Sequence, residues 1–160
     1  MAYTFARATT ATHAKAIAAF VSAEGYDLAK WDGWSAASLT QKVKLSHVHI
    51  WMARESGVLK GFIHWVVGQT DEGPAGWFVG CVTAHSLGNR LELLDRLALR
   101  FGDHFGRLGR WFSQAEKEDL EAITYARMVA PLEELDAGQR YHWEGDFAAT
   151  CAVIQARLTP

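Results

Sequence analysis

Hydrophobic residues in the first half of the chain recur first at helical spacing and then at strand spacing. Residues 12–24 repeat small apolar side chains every three or four positions, which predicts a helix that ends at Gly25. Ser35 is expected to begin a second helix, because its side chain can accept a hydrogen bond from the first turn. β-branched and aromatic residues fill other stretches, and a glycine-containing turn between two of them indicates a hairpin. The strands predicted in this way are residues 3–8, 48–54, 59–67 and 77–83.

The second half of the chain contains the clearest helical pattern. Over residues 87–105 the apolar side chains form one stripe, and the charged side chains lie mostly outside it. Residues 120–129 are mostly apolar and residues 147–158 carry apolar side chains at alternate positions, so each stretch predicts a strand. Residues 132–138 predict a short helix, and residues 69–76 predict a solvated turn. The resulting order, β-α-α-β-β-β-α-β-α-β, is a mixed α/β arrangement.

The composition is that of one globular domain spanning residues 1–160. With 49% hydrophobic and 21% charged residues, a chain of this length buries a core without metals or disulfides, and disordered or collagen-like chains are excluded. The net charge of −2 and the lack of a long apolar run indicate neither nucleic acid nor membrane as a partner. We therefore expect a cytoplasmic protein. Cys81 and Cys151 are expected to be buried thiols, with a single disulfide as the alternative.

The element order and several stretches of the sequence resemble the GNAT acyltransferase superfamily. Residues 5–9 and 13–20 are similar to its opening strand and first helix, and residues 51–63 are similar to its second and third strands. Residues 77–84, running into residues 87–101, resemble its central strand and cofactor helix. The resemblance implies an α/β fold with a central mixed β-sheet flanked by helices. It also implies an acyltransferase that moves an acetyl or other acyl group from a thioester such as acetyl-coenzyme A to an amine on a small molecule or a protein.

The segment after the central strand departs from the family pattern. GNAT proteins usually carry Gln/Arg-x-x-Gly-x-Gly/Ala there, whose small residues let backbone amides approach the coenzyme A pyrophosphate. Residues 85–91 read His-Ser-Leu-Gly-Asn-Arg-Leu, with one glycine, which implies a degenerate pyrophosphate loop. In this the chain resembles divergent GNAT-like phage proteins and the toxin-activating lysine acyltransferases, which can use a carrier-protein donor, although the catalytic aspartate of the latter has no counterpart here. The residues that the resemblance places at the cofactor are Thr83, Leu87, Gly88, Asn89 and Arg90.

His85 and Tyr141 are the candidate catalytic residues. His85 directly follows the central strand, where a histidine can take a proton from an amine because imidazole titrates near neutral pH. Tyr141 precedes the last predicted strand, where family members often place a tyrosine that protonates the departing thiolate. Each also has a simpler interpretation, His85 as a surface or helix-capping residue and Tyr141 as a packing residue. His142 and Glu144 are the alternatives to Tyr141. The candidates for lining a substrate pocket are Trp31 and Trp34.

The other histidines and the cysteines indicate neither a metal site nor a reactive thiol. His47 and His49 would share one face of a strand, but no third ligand accompanies them at metal-binding spacing. His64 lies within an apolar strand and is expected to be a core residue. Cys81 has no nearby basic residue that would favour the thiolate.

Two other functions remain open from the sequence. A GNAT-like shell that has lost its pyrophosphate loop would bind a protein partner through exposed tryptophans and catalyse nothing. The arginines between residues 90 and 110 would favour nucleic acid, but neighbouring acidic residues offset them, so a solvated helix face is the preferred interpretation. Homodimerisation is also left open.

Overall fold

One mixed β-sheet, with helices packed against its faces, organises the chain. The computed structural model of the protein describes residues 2–27, 34–104, 109–129, 131 and 133–159. In chain order the elements are β1 (Tyr3–Arg7), α1 (Ala11–Ala23), α2 (Ala36–Lys42), β2 (Val48–Glu55), β3 (Val58–Thr70), β4 (Gly73–Thr83), α3 (Arg90–His104), β5 (Arg110–Glu116), α4 (Leu120–Met128), β6 (Glu133–Asp136), β7 (Arg140–Asp146) and α5 (Phe147–Leu158). Within the described residues the seven strands lie in the order β1-β2-β3-β4-β5-β7-β6. The mixed sheet flanked by helices is confirmed.

The direction of strand pairing changes in the middle of the sheet. β1 to β4 are antiparallel neighbours, whereas β4 and β5 are parallel. Parallel neighbours need a crossover connection, which α3 supplies. β7 then inserts antiparallel to both β5 and β6, which leaves β6 at the edge.

Each face of the sheet buries its own hydrophobic core. Along β3, Phe62 and Ile63 belong to different cores, because successive strand residues point to opposite faces. The core under α1 and α2 includes Ala14, Ile17, Val21, Leu39, Ile50, Met52 and Val82. The core under α3, α4 and α5 includes Trp65, Phe78, Leu94, Leu97, Phe101, Trp111, Tyr125 and Phe147. Across the described ranges, no helix combines the length and apolar character needed to cross a membrane.

Two stretches that were expected to be strands are helices. Residues 120–129 contain α4, and residues 147–158 contain α5. A capping aspartate begins each helix, Asp119 in α4 and Asp146 in α5, and its side chain accepts a hydrogen bond from an amide of the first turn. The alternating set that predicted a strand is Phe147, Ala149, Cys151 and Val153, although the alanines of this segment favour a helix. The buried residues of α5 follow helical spacing and are Phe147, Thr150 and Ile154.

The expected short helix and the expected turn are strands. Residues 132–138 contain β6, whose four residues are all exposed, so no apolar pattern marks it as a strand. Residues 69–76 contain the paired ends of β3 and β4 around a two-residue turn. The sequence-based order lacked β5, because only Trp111 and Ala115 of this strand are buried and the residues between them do not alternate between apolar and polar.

A buried ion pair ties α5 to α3. Arg157 of α5 donates two hydrogen bonds to the carboxylate of Asp95 in α3, at 2.6 and 3.1 Å. It also donates to the carbonyl of Met128 at the end of α4. The Asp95 side chain is 6% exposed. Burial raises the pKa of Asp95, although the hydrogen bonds from Arg157 act in the opposite direction. One side chain thus joins three helices on the same face of the sheet.

Arg157→Ala is expected to lower the free energy of unfolding by about 3 kcal/mol, because it leaves the Asp95 carboxylate buried without its partner. Urea unfolding followed by circular dichroism measures the change. Arg96→Ala is the matched control, since Arg96 pairs with Glu92 on the exposed surface of α3 and its loss should cost less than about 1 kcal/mol. Equal losses in the two variants would show that the buried pair does not hold the helices together.

Candidate functional site

β4 and β5 pair over only part of their length. Residues 75–78 of β4 lie in register with residues 110–113 of β5. At the last pair, the hydroxyl of Ser113 donates to the carbonyl of Phe78 at 3.2 Å. In the described part of the chain, β4 then continues to Thr83 and β5 continues to Glu116, but the two strands do not pair with each other beyond this point. The sheet therefore opens between these two strands.

A β-bulge at Val79 coincides with this opening. In the register between β3 and β4, Trp65 pairs with Phe78 and His64 pairs with Gly80, so Val79 is an extra residue in β4. A bulge bends its strand and increases the local twist, which accounts for β4 leaving β5 directly after the last pair. Among the described residues, no strand pairs with the β5-facing edge of residues 80–83. An extended ligand can pair with such an edge.

A cleft of about 490 Å³ lies between the first turns of α3 and α4. Helix α3 begins at Arg90 rather than at the predicted Leu87, and its first N–H bond within the helix runs from Leu93 to the carbonyl of Asn89 at 3.1 Å. The amides that precede this bond lie at the positive end of the helix dipole. The residues that line the cleft are Gly88, Asn89, Arg90, Leu91, Glu92, Leu94, Leu120 and Thr124.

Polar side chains at the start of α3 are paired within the protein. Nε of Arg90 donates to the hydroxyl of Thr83 at 2.8 Å. Glu92 accepts hydrogen bonds from Arg96 at 2.8 Å and from Asn89 at 3.2 Å. These bonds, that of Arg96 first, lower the pKa of Glu92, so its carboxylate is ionised at neutral pH. A phosphate at the same helix end would meet this carboxylate together with the guanidinium groups of Arg90 and Arg96.

The loop that joins β4 to α3 is accessible, and Gly88 and Asn89 within it are exposed. A Cβ atom at Gly88 would meet no atom within 4 Å, so the loop at this point is open to an approaching group. A pyrophosphate there would meet helix amides but also the Glu92 carboxylate.

His85 follows β4 closely and contacts the end of α1. Nδ1 of its ring lies 2.8 Å from Oε2 of Glu24, and its backbone amide donates to the same oxygen at 2.9 Å. The ring of Tyr26 stacks on the imidazole, with the ring centroids 5.7 Å apart and the planes at 17°. The His85 side chain is 51% exposed, so a substrate can reach it.

The sequence identified His85 but neither Glu24 nor Tyr26. Glu24 is 61 residues away along the chain, and local spacing cannot reveal such a contact. One local signal was available. Glu24 is a negatively charged residue at the end of α1, where the helix dipole favours a positively charged side chain, so its presence there calls for a tertiary partner.

Tyr141 lies within β7, and not ahead of the last strand as the sequence predicted. Its ring is 5.1 Å from Nζ of Lys117 and 5.1 Å from the guanidinium carbon of Arg127. Its ring centroid is 6.0 Å from that of Trp143, on the side of the sheet covered by α3, α4 and α5. His85, in contrast, contacts the end of α1. The structure does not bring the two candidate catalytic side chains into contact.

The remaining candidates of the sequence have different environments. Of the two alternatives in β7, His142 is exposed and Glu144 is paired with Arg110. Trp31 lies outside the described residues. Trp34 is 2% exposed and belongs to the core under α1 and α2, and so it does not line an open pocket.

His64 is a buried core residue, as the sequence predicted. It is 2% exposed, and its ring centroid lies 4.6 Å from that of Trp34. Neither ring nitrogen has a hydrogen-bond partner. Burial, with a smaller contribution from the charge of Lys42, lowers the pKa of His64 to about 3.

The other histidines and the two cysteines lie apart from the opening of the sheet. His47 is exposed, whereas His49 is buried with its ring centroid 5.7 Å from that of Phe101. Within the described residues, no group of three or more potential ligands could hold a metal ion. Cys81 is buried in β4, and Cys151 lies in α5 and not in a strand. Burial raises the pKa of the Cys151 thiol to about 11.

Solved structures of acetyltransferases are similar to this architecture over nearly their whole length. An acetyltransferase of the GNAT family from Streptococcus pneumoniae is 15% identical, with 91% of this chain and 99% of that chain covered and a TM-score of 0.62. PaiA N-acetyltransferase from Thermoplasma acidophilum, solved with coenzyme A, is 11% identical, with 91% and 99% covered and a TM-score of 0.72. Arabidopsis thaliana NAA60, solved with a bisubstrate analogue, is 11% identical, with 91% and 98% covered and a TM-score of 0.65. The chain has the GNAT fold.

Comparison with family models and curated proteins does not detect this similarity, although the residue patterns of several segments indicate it. No protein-family model and no curated protein matches the sequence. At 11–15% identity, the shared GNAT fold establishes the architecture but not the reaction. The fold expected from the sequence resemblance is confirmed.

His64→Leu is expected to make this GNAT-fold protein less sensitive to acid. The pKa of His64 is about 3 in the folded protein and near the ordinary 6.5 when unfolded, so the unfolded chain binds the proton first as the pH falls. The stability that this residue contributes is complete above pH 6.5 and decreases between pH 6.5 and 3, by about 2 kcal/mol from pH 7 to pH 5. Urea unfolding of the wild-type protein and of His64→Leu at pH 7 and pH 5 measures this change in the free energy of unfolding. The same pH dependence in the two proteins would contradict a buried neutral ring at His64.

Proposed function

We propose that this protein transfers an acyl group from a thioester to an amine. The observation that carries the proposal is the opening between β4 and β5 at Val79, with the half-exposed imidazole of His85 directly after the opened strand. Two solved structures with this fold contain coenzyme A and a bisubstrate analogue, which supports the same ligand region here. The acyl group is an acetyl or another acyl group, and the acceptor is a small molecule or a protein.

The start of α3 and the open edge of β4 would hold the donor. An acyl thioester, with acetyl-coenzyme A as the first candidate, supplies an acyl carbon joined to a thiol leaving group. A backbone N–H before the first helical bond of α3, near Gly88 and Asn89, would donate to the thioester carbonyl oxygen, where negative charge develops as the amine attacks. The residues assigned to donor binding are Thr83, Leu87, Gly88, Asn89 and Arg90.

His85 acts as the general base in this proposal. An ammonium group cannot attack a carbonyl, so one proton must leave the acceptor first. His85 takes this proton, the amine nitrogen bonds to the acyl carbon, and the carbon–sulfur bond breaks. The products are an amide, a thiol and one proton, which passes from His85 to water. The acceptor would approach from the side of α1, whose end contacts His85.

Tyr141 acts as the acid that protonates the departing thiolate. Lys117 and Arg127 place positive charge beside its ring, where negative charge develops as the phenol gives up its proton. Because Tyr141 lies on the other side of the sheet from α1, it would approach the sulfur and not the amine. Acid and base therefore act on opposite sides of the scissile bond.

Acetyl-pantetheine is expected to stabilise the protein nearly as well as acetyl-coenzyme A, because a pyrophosphate would meet the Glu92 carboxylate at the start of α3. A donor at 100 times its dissociation constant adds about 2.7 kcal/mol, which a thermal melt detects. Glu92→Gln should tighten binding of acetyl-coenzyme A, because it removes a negative charge from the first turn of α3. The same change should leave acetyl-pantetheine binding unaltered. No melting shift with any acyl thioester at millimolar concentration would refute the proposed function.

His85→Ala is expected to lower turnover by about 10²–10⁴, the usual contribution of a positioned acid or base. Tyr141→Phe removes only a proton and should lower turnover with donor affinity nearly unchanged. Steady-state rates measure both, with circular dichroism as a check on folding. His47→Ala is the matched control, because His47 is exposed and has no assigned role. Turnover equal to that of the control in both variants would refute these assignments and direct attention to His142 and Glu144.

The second candidate function is a non-enzymatic shell that binds a protein partner. The Glu92 carboxylate in the first turn of α3 favours it, since that position is unsuited to a phosphate-binding donor. Two leucines at the cleft are also exposed, Leu91 by 40% and Leu120 by 72%. Stabilisation by a thioester supports the enzyme, and its absence supports the shell.

A further inference from the structure

One carboxylate oxygen holds both the backbone and the ring of His85. Oε2 of Glu24 is 2.9 Å from the amide nitrogen of His85 and 2.8 Å from Nδ1 of its imidazole. Tyr26 stacks on the same ring at 17° between the planes. These contacts fix the position and the plane of the imidazole while half of the side chain stays exposed.

The end of α1 is built to present Glu24 and Tyr26 together. The amide of Gly25 donates to the carbonyl of Ser22, and the amide of Tyr26 donates to that of Val21, both at 3.0 Å. These two hydrogen bonds, together with a residue in the left-handed backbone conformation after the helix, form the Schellman helix ending. Gly25 supplies the required backbone conformation, with φ at +83°. The backbone positions of Glu24 and Tyr26, which flank Gly25, are therefore fixed next to His85.

Glu24 occupies a position that helix electrostatics disfavour. A carboxylate at a helix C-terminus faces the negative end of the dipole, which is unfavourable. The last turn of α1 carries no basic residue that would offset it. Residues that break a local preference often serve a functional site. Here the compensating contacts all come from His85 and from the charge of Arg90.

The hydrogen bond decides which nitrogen of His85 carries the proton. Hydrogen bonds from the His85 amide first and then from its ring lower the pKa of Glu24, so the carboxylate is ionised at neutral pH and can only accept. Nδ1 must therefore be the donor, and in the neutral ring Nε2 holds the lone pair. The groups that face His85 are Glu24 and Tyr26 from the end of α1 and, through Glu24, Arg90 from the start of α3.

We propose that Glu24 is a positioning residue that keeps Nδ1 of His85 protonated and makes Nε2 the atom that accepts the proton of the amine. The inference rests on the proposed function, in which His85 is the base. When Nε2 takes the proton, the ring becomes a cation whose charge lies against the Glu24 carboxylate. Nδ1 keeps its proton throughout, so one proton enters at Nε2 and the same proton leaves to water.

The tautomer of His85 can be observed without any activity. Nitrogen-15 correlation spectra of the full chain, recorded at a pH where the ring is neutral, distinguish a protonated from an unprotonated ring nitrogen. The wild-type protein is expected to show protonated Nδ1 and unprotonated Nε2. In Glu24→Ala the proton should move largely to Nε2, the preferred position in free histidine.

A kinetic measurement on Glu24→Gln is the second test. Its control is Glu72→Gln, because Glu72 is an exposed residue of the turn between β3 and β4.

Glu24→Gln keeps an oxygen that can accept from Nδ1 but removes the negative charge. With acyl transfer measured across pH, it is expected to lower kcat about 10- to 100-fold with KM nearly unchanged, as for other groups that orient a catalytic histidine. The acid limb of the pH profile should move to lower pH, because the charged ring loses its partner. A residue that only ties α1 to β4 would change the melting temperature and leave this profile in place.

The two readouts separate failure of this inference from failure of the proposed function. Protonated Nε2 with unprotonated Nδ1 in the wild-type protein would overturn the inference, whatever the activity. An unchanged kcat in Glu24→Ala, which loses the acceptor as well as the charge, would also overturn it, even where His85→Ala is inactive. A wild-type protein that binds and transfers no thioester but shows the expected tautomer would refute the proposed function and leave Glu24 as the residue that orients His85.

Discussion

The place where β4 stops pairing with β5 determines what this fold can do. A parallel pair inside a sheet normally consumes the backbone donors and acceptors of both strands along their length. The extra residue Val79 coincides with the end of that pairing after Phe78, so the sheet opens between β5 and the second half of β4. The residues assigned to the donor lie at the end of β4 and at the start of the helix that follows it.

The two sides of the opening differ in how they are held. On the α1 side, a helix ending, a carboxylate and a stacked ring fix His85 through contacts that span 61 residues. On the other side, α3, α4 and α5 are joined by Asp95 and Arg157, and this rigid layer supports the cleft between α3 and α4. A base needs a fixed direction, which hydrogen bonds supply, whereas a flexible arm needs mainly a groove. In the proposed function, the end of α1 supplies the hydrogen bond to the base, and the cleft between α3 and α4 supplies the groove.

The sequence predicted the first half of the fold better than the second half for physical reasons. Glycine turns and β-branched runs mark β2 and β3, and local patterns suffice there. In α5 the alanines permit either period, and the deciding signal was the cap Asp146. β6 has no buried residue at all and exists only through its pairing with β7. At the site, His85 follows from its place after β4, whereas its partner Glu24 is a tertiary contact that no local pattern contains.

A site that binds the phosphates of its donor weakly need not be a weak catalyst. Binding energy that is equal in the ground state and the transition state lowers KM but leaves kcat unchanged. Contacts with a distant pyrophosphate are of this kind, because nothing changes there as the amide forms. The contacts of His85 differ, since the charge that Glu24 stabilises exists only after the proton has moved. In the proposed function, contacts with the phosphates of the donor therefore contribute to binding, whereas the contact between Glu24 and His85 contributes to turnover.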